Sequence, residues 1–287
     1  MKRRLLFITI LVLIISTISF SRSFLGLVGA IPWHYGYSDV FNEDRINPEL
    51  AQKIPYLKMP VEYPLITGFF IYFMWFLGKS LLGYVILTYL FLTLFNTVTA
   101  IALDKLCDLL KFNKSRLFWF FIFAPSLAFF GVYNWDIIAV MLMVIAMYFF
   151  YKNQYIWTAV FLSLGFNAKF FPVVLLPIML IKADIKNATK IMLLFLATFI
   201  LLNGYFMVNS FDVWKTTYLF HSTREPNIDS IWALTDLSTS TVNVLSAVLF
   251  LVFYWVLIYN HKKYDFITLS LASLLLLFIF NKDFSPQ

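Results

Sequence analysis

The sequence predicts an all-α fold, a polytopic transmembrane helical bundle, and three observations carry that prediction. Hydrophobic residues make up 61% of the chain and charged residues only 13%, where a soluble domain carries roughly 25% charged residues. The apolar residues fall in continuous runs instead of alternating at period two, which speaks against a transmembrane barrel. The 287 residues, divided by roughly 20 per spanning helix, give about eight to ten hydrophobic segments with short loops. The chain reads as one integral membrane domain, 1–287, in a lipid bilayer.

The first span covers 5–29, and Lys2, Arg3 and Arg4 hold its start in the cytoplasm. It resembles a secretory signal, but no small-x-small cleavage site follows and more spans come after it, so it reads as uncleaved. The polar interval 32–63 is then the first extracytoplasmic loop. It carries Asp39, Glu43, Asp44, Glu49 and Glu62, a third of the 15 acidic residues. Apolar runs follow at 64–78, 81–103, 117–133, 136–151, 154–181, 191–209, 241–260 and 266–280. Lys182, Lys186 and Lys190 place 182–190 inside, so the second polar loop, 210–240, lies outside. His261, Lys262 and Lys263 are inside again, and the terminal segment is outside.

Two topologies fit the middle of the chain. If 64–78 and 81–103 are both full spans, Lys105, Lys111, Lys114 and Arg116 fall outside, against the positive-inside rule. If 64–103 makes one net crossing, 64–78 is short, tilted or re-entrant. The run 154–181 then splits into two short helices at Asn167–Pro172. This second version obeys the charge rule throughout and gathers the intramembrane polar clusters on one side. Interruptions at Pro125, Asn134, Asn167, Pro172 and Pro177 point to a cavity, because irregular backbone survives at membrane depth only where it is buried or lines one.

The net charge of +7 follows from lysines and arginines in cytoplasmic loops and implies no nucleic acid partner. Cys107 is alone, so no intramolecular disulfide forms. The three histidines, His34, His221 and His261, lack metal-ligand spacing, and no metal or other cofactor is expected.

Ionisable side chains in or beside spans are costly in hydrocarbon and mark function. Asp136 heads one span, and Lys169 interrupts another three residues before Pro172. The structural alternatives are a helix-capping carboxylate for Asp136 and an interfacial lysine for Lys169. His221 and Arg224 stand three apart, so a helical turn would present both on one face. Lys282 follows directly on the last apolar run. Asp39 lies near the end of the first span. Glu62 precedes Pro64, which reads as the first residue of the next helix. Glu43, Asp44 and Glu49 read as solvated. Acids (Asp39, Glu62, Asp136) and cations (Lys169, Arg224, Lys282) on one side of a membrane suit activation of a hydroxyl by a carboxylate while cations neutralise a departing phosphate. A lipid-linked sugar phosphate would place its tail in the bilayer and its head group among these residues.

The order Tyr37-Ser38-Asp39, Pro55-Tyr56, Glu62-Tyr63-Pro64-Leu65 and Asn134-Trp135-Asp136 resembles the GT-C superfamily of polytopic glycosyltransferases. Ala168-Lys169-Phe170-Phe171-Pro172, His221-Ser222-Thr223-Arg224, Asp229-Ser230-Ile231-Trp232 and Asn281-Lys282-Asp283-Phe284-Ser285-Pro286-Gln287 continue the likeness. It is nearest to the glycosyltransferase 87 type, the polyprenyl-phosphate-mannose-dependent mannosyltransferases. The resemblance implies metal-free, inverting transfer of a hexose, mannose in that family, from a polyprenyl-phosphate sugar donor to a glycolipid or glycan acceptor. Transfer would occur on the extracytoplasmic face of the cell (plasma) membrane. It also implies that Asp39 is the catalytic base and that Glu62 and Asp136 match the later acids. Lys169 would face the lipid phosphate, with His221, Arg224 and Lys282 lining the same cavity. The family continues beyond the Ser-Pro-Gln motif, so the resemblance implies a chain cut short after Gln287. A lipid or polysaccharide transporter or flippase is the alternative, since broken helices also suit transporters, although no paired half-repeat is visible.

Overall fold

The computed structural model describes residues 2–41 and 52–283, and these are helical without a strand. In chain order the helices are α1 (Lys2–Leu27), the single turn α2 (Trp33–Gly36), α3 (Leu65–Gly78), α4 (Leu81–Leu109), the short α5 (Ser115–Leu117) and α6 (Pro125–Phe130), α7 (Asp136–Tyr151), α8 (Tyr155–Ala168), α9 (Leu175–Lys182), α10 (Ile185–Asn209), α11 (Phe211–Thr223), α12 (Thr239–Tyr259) and α13 (Phe266–Phe280). Four of them, α1, α4, α10 and α12, are long and apolar enough to cross a membrane. Their outer faces carry large exposed apolar side chains, such as Leu201 on α10 and Leu251 and Trp255 on α12. Contiguous apolar surface of that kind is made for hydrocarbon rather than water.

Helix starts follow the capping chemistry of the sequence. Ser80 Oγ accepts the Gly83 N–H at 3.1 Å, Asp184 Oδ1 accepts that of Asn187 at 3.1 Å, and Asp265 Oδ1 accepts that of Thr268 at 2.8 Å. Each satisfies one amide that a helix leaves without a partner in its first turn. The apolar run 117–133 is not one helix. Pro125 lacks an N–H and forces Ala124 into extended backbone, so a π-helical turn, Phe118–Ile122, gives way to a break and then α6.

Side-chain bonds fix the helix directions. Arg4 on α1 binds Asp104 on α4 at 2.5 Å, and Thr17 binds Tyr89 at 2.8 Å, so the two helices run antiparallel. The start of α4 therefore lies at the end of the bundle that carries the first loop, where the Tyr84 hydroxyl reaches the Val40 carbonyl at 3.3 Å. Helix α3 runs antiparallel to α4: Phe70 packs on Phe91 and Phe95, and Trp75 stacks on Tyr84 at 4.5 Å. Its own start is held by Thr67, which donates to the Ala168 carbonyl at 2.8 Å. With 14 residues it is shorter than a span. The pair α3–α4 is thus a hairpin of one short and one long helix.

The long run 154–181 is broken. Helix α8 stops at Ala168, and Lys169 is extended with φ −156° and ψ 151°. Ser163 donates to the Phe195 carbonyl at 3.0 Å and Asn203 donates to Asn167 Oδ1 at 2.6 Å. The order of these contacts is the same along both helices, so α8 and α10 are parallel and 171–182 must return between them. Lys182 Nζ donates to the His261 and Tyr264 carbonyls at 2.7 and 2.6 Å, joining the two lysine-bearing turns at the opposite end from the first loop.

The hairpin turn between α3 and α4 is tight. Lys79 takes the left-handed φ of 55°, and a Cβ on Gly83 would stand 2.1 Å from the Gly78 carbonyl oxygen. Gly83→Ala is expected to destabilise the protein by about 1–3 kcal/mol, the usual cost of forcing a methyl into a filled site. Thermal unfolding in detergent checks this, with Gly204→Ala, whose Cβ meets nothing nearer than 3.7 Å, as the control.

Candidate functional site

Two clamps position the first loop. On its near side, the Ser38 hydroxyl donates to the Tyr133 carbonyl at 2.7 Å, and the Val40 N–H donates to the same oxygen at 3.3 Å. Tyr133 lies three residues before Asp136, so the clamp draws Asp39 towards the start of α7. Val40 and Phe41 are fully or almost fully buried, which seats the 3-10 turn Asp39–Phe41 in the core. The turn α2 packs backbone against α1, where a Cβ on Gly36 would lie 2.5 Å from the Gly26 Cα.

On the far side, Tyr56 is the anchor. It is fully buried and holds φ at 64°, which is strained for a residue with a side chain. Its hydroxyl lies 2.8 and 3.0 Å from the Tyr63 and Pro64 carbonyls. Ser210 donates to the Tyr56 carbonyl at 2.6 Å, and Thr217 donates to that of Val61 at 2.6 Å. Val61-Glu62-Tyr63 is thereby laid along α11, with the Tyr63 ring edge-on to Trp135 at 5.3 Å. Pro64 occupies the N-cap of α3, one residue ahead of the expected first helical position.

Asp136 opens α7 and does not cap it. The Asp136 N–H donates to Asn134 Oδ1 at 3.0 Å, while both carboxylate oxygens lie 2.5 Å from Lys169 Nζ. The alternatives of capping acid and interfacial lysine give way to an ion pair between two helix ends. Burial pushes the Asp39 carboxyl above its ordinary value; the Tyr37 hydroxyl, 3.0 Å from Oδ1, pulls it down, Asp136 raises it, Lys169 lowers it and Glu62 raises it. Those cross-influences place Asp39, Glu62, Asp136 and Lys169 within electrostatic reach of one another.

A second group lies across the Phe170 ring, which touches Tyr218 at 5.3 Å and His221 at 6.0 Å. His221 Nδ1 is 3.0 Å from Asp283 Oδ2. Lys282 is 5% exposed and donates to the Arg224 carbonyl, and burial lowers its pKa from the usual lysine range. A cavity of about 360 Å³ opens here, lined by His221, Asn243, Phe250, Leu277, Phe280 and Lys282 among others. Its walls are mostly apolar and its rim is charged. Beneath both groups a buried network supports α11: Asn203 Oδ1 accepts from Trp214 Nε1 at 2.9 Å and from the Tyr218 hydroxyl at 3.2 Å.

The expectation that His221 and Arg224 share a helical face is corrected. Helix α11 ends at Thr223 and Arg224 is extended, with φ −68° and ψ 135°, so the arginine leaves the face that carries His221. Its side chain is exposed, and its backbone carbonyl is what meets Lys282. Glu43, Asp44, Glu49 and the Ser285-Pro286-Gln287 motif lie outside the described residues. Sequence reasoning passed over Arg22, Tyr37 and the role of Asp283. Arg22 carried a usable signal, an ionisable residue inside a span. Tyr37 and Asp283 gain their meaning only from their neighbours in space.

No protein-family model, no curated protein and no solved structure matches the chain. A functional reading therefore stands on this geometry and on the motifs.

A Cβ on Gly68 would fall 1.8 Å from the Tyr56 hydroxyl oxygen. Gly68→Ala is expected to expel that hydroxyl from its two carbonyls, destabilise the protein by about 1–3 kcal/mol, and release the Glu62 segment. Thermal melting together with proteolytic sensitivity of residues 52–63 measures both effects.

Proposed function

We propose that this chain is a membrane glycosyltransferase of GT-C type, moving a hexose from a polyprenyl-phosphate donor to a glycolipid or glycan acceptor, with Asp39 as the base. The observation that carries the reading is the gathering of Asp39, Glu62, Asp136 and Lys169 at the end of the bundle opposite the lysine-rich turns. The positive-inside rule assigns those turns to the cytoplasm, which puts the site on the extracytoplasmic face of the cell membrane.

Asp39 takes the proton from the acceptor hydroxyl as its oxygen forms a bond to the anomeric carbon. The bond from that carbon to the phosphate oxygen breaks, and polyprenyl phosphate leaves with the electron pair. Attack opposite the leaving group inverts the anomeric centre. A carboxylate whose pKa is raised is a stronger base once ionised, which suits Asp39 to the proton transfer. Glu62 stands beside it to hold the acceptor.

The charges divide the site. Three carboxylates against one lysine repel a phosphate, and Lys169 is already engaged by Asp136. The second group sets Lys282 against the single carboxylate of Asp283, which also holds His221; Lys282 would meet the leaving phosphate, and the apolar walls beside it accept isoprenoid carbon. Arg224 follows α11 and meets Lys282 through its backbone carbonyl. This division supports a sugar bridging the two groups, its anomeric carbon between base and phosphate.

Asp39→Asn is expected to lower transfer from radiolabelled polyprenyl-phosphate mannose in membranes by about 10²–10⁴-fold, the usual contribution of a general base. The native fold holds the Asp39 proton more tightly than the unfolded chain does. The charge therefore costs stability as pH rises from 3.8 through the raised native value. The asparagine variant is thus expected to melt no lower than the parent at neutral pH, and the acid limb of the parent's rate profile is expected above 3.8. Undiminished transfer by the variant overturns the assignment. Substrate movement across the bilayer without glycosyl transfer would favour a flippase instead.

Orientation has its own test. In a Cys107→Ser background, Lys58→Cys and Ser222→Cys are expected to react with an impermeant thiol reagent on intact cells, and Lys186→Cys only after permeabilisation.

A further inference from the structure

Arg22 sits in the last turns of α1, where an uncompensated charge in an apolar span would be costly. It is spent on backbone. Its Nη1 donates to the Tyr35 carbonyl at 2.7 Å, and its Nη2 donates to the Tyr37 carbonyl at 3.3 Å and the Phe129 carbonyl at 3.1 Å. The guanidinium also lies 5.9 Å from the centres of the Phe129 and Tyr133 rings. One side chain therefore joins the first loop to the segment that leads into α7, the two pieces that carry Asp39 and Asp136.

Tyr37 continues the connection. Its carbonyl is held by Arg22, its ring packs on Tyr133 at 5.7 Å, and its hydroxyl donates to Asp39 Oδ1 at 3.0 Å. We propose that Arg22 and Tyr37 form a strut that aims and tunes Asp39, with Tyr37 as the positioning residue and Arg22 as its anchor. The groups facing Asp39 are the Tyr37 and Tyr133 phenols, Glu62 ahead of α3, Asp136 on α7 and Lys169 at the end of α8. Asp136 and Glu62 oppose its ionisation, and Lys169, which favours it, is shared with Asp136. The Tyr37 hydroxyl is thus a principal donor keeping the carboxylate ionised once water is excluded.

The catalytic use of the strut rests on the glycosyltransferase reading, but its physical effect does not, so two measurements separate them. The first is thermal stability against pH for the parent, Tyr37→Phe, and each combined with Asp39→Asn, in detergent. Subtracting the asparagine background isolates the titration of Asp39. Removing a donor to the charged form raises the pKa, so the Asp39 midpoint in Tyr37→Phe is expected to rise by about one pH unit. An unmoved midpoint overturns the proposal, whatever the protein's activity. Arg22→Met is expected to produce a similar rise, and Arg22→Met with Tyr37→Phe no more than either alone, since both act through one contact. Additive shifts overturn the anchoring role of Arg22.

The second measurement is transfer from polyprenyl-phosphate mannose as a function of pH, in membranes that supply the acceptor. The acid limb in Tyr37→Phe is expected to move up with the stability midpoint. A fall in rate equal at every pH would make Tyr37 a packing residue and overturn the proposal. A moved stability midpoint in a protein without transfer would keep the strut and remove the glycosyltransferase reading.

Discussion

The ion pair between Lys169 and Asp136 closes a place where the helical core is interrupted. Inside an apolar bundle every backbone amide needs a partner, so a helix broken at depth exposes groups that something else must satisfy. The break after Ala168 is made good on three sides. Thr67 donates to the Ala168 carbonyl, the Lys169 N–H returns to the Gly165 carbonyl, and the lysine amine binds the acid at the head of α7. Because the pair joins two helix ends, it fixes the level at which α7 begins and α8 turns back. The first loop is then clamped to that level through Tyr133.

From this constraint the asymmetry of the molecule follows. One end of the bundle turns on lysines that face outward or bind carbonyls, as Lys182 does. The other end turns on residues that face inward and each other. Helix α11 lies over that inward-facing end, held by the Asn167–Asn203–Trp214–Tyr218 network and bonded to the first loop at Tyr56 and Val61. The site is consequently roofed by segments far apart in the chain. The bonds at Ser38, Tyr56 and Val61 hold Asp39 and Glu62 beside the long helices, although neither lies within one.

Much of this was legible in the residues. Continuous apolar runs announced the helices, and the cost of ionisable groups in hydrocarbon singled out Asp136 and Lys169. Pro172 and Asn167 marked the break in 154–181. Pro125 likewise marked the break in the run 117–133. One reading failed for a local reason. His221 and Arg224 looked cofacial because the pattern assumed that α11 continued one residue further than it does.

The amino-acid pattern alone settles the fold class and the rough limits of most of the helices, since solvent transfer and backbone satisfaction act residue by residue. It left open which acid meets which cation, because those choices depend on helix direction and depth. Asp39 gains its burial and its Tyr37 donor only in the folded chain, where Tyr37 is itself held by an arginine fifteen positions earlier. Asp283 becomes the partner of His221 only once α13 returns beside α11. Such pairings are made across 33 to 100 residues of chain, and packing decides them: a charge in an apolar interior takes the nearest opposite group that the fold brings within reach.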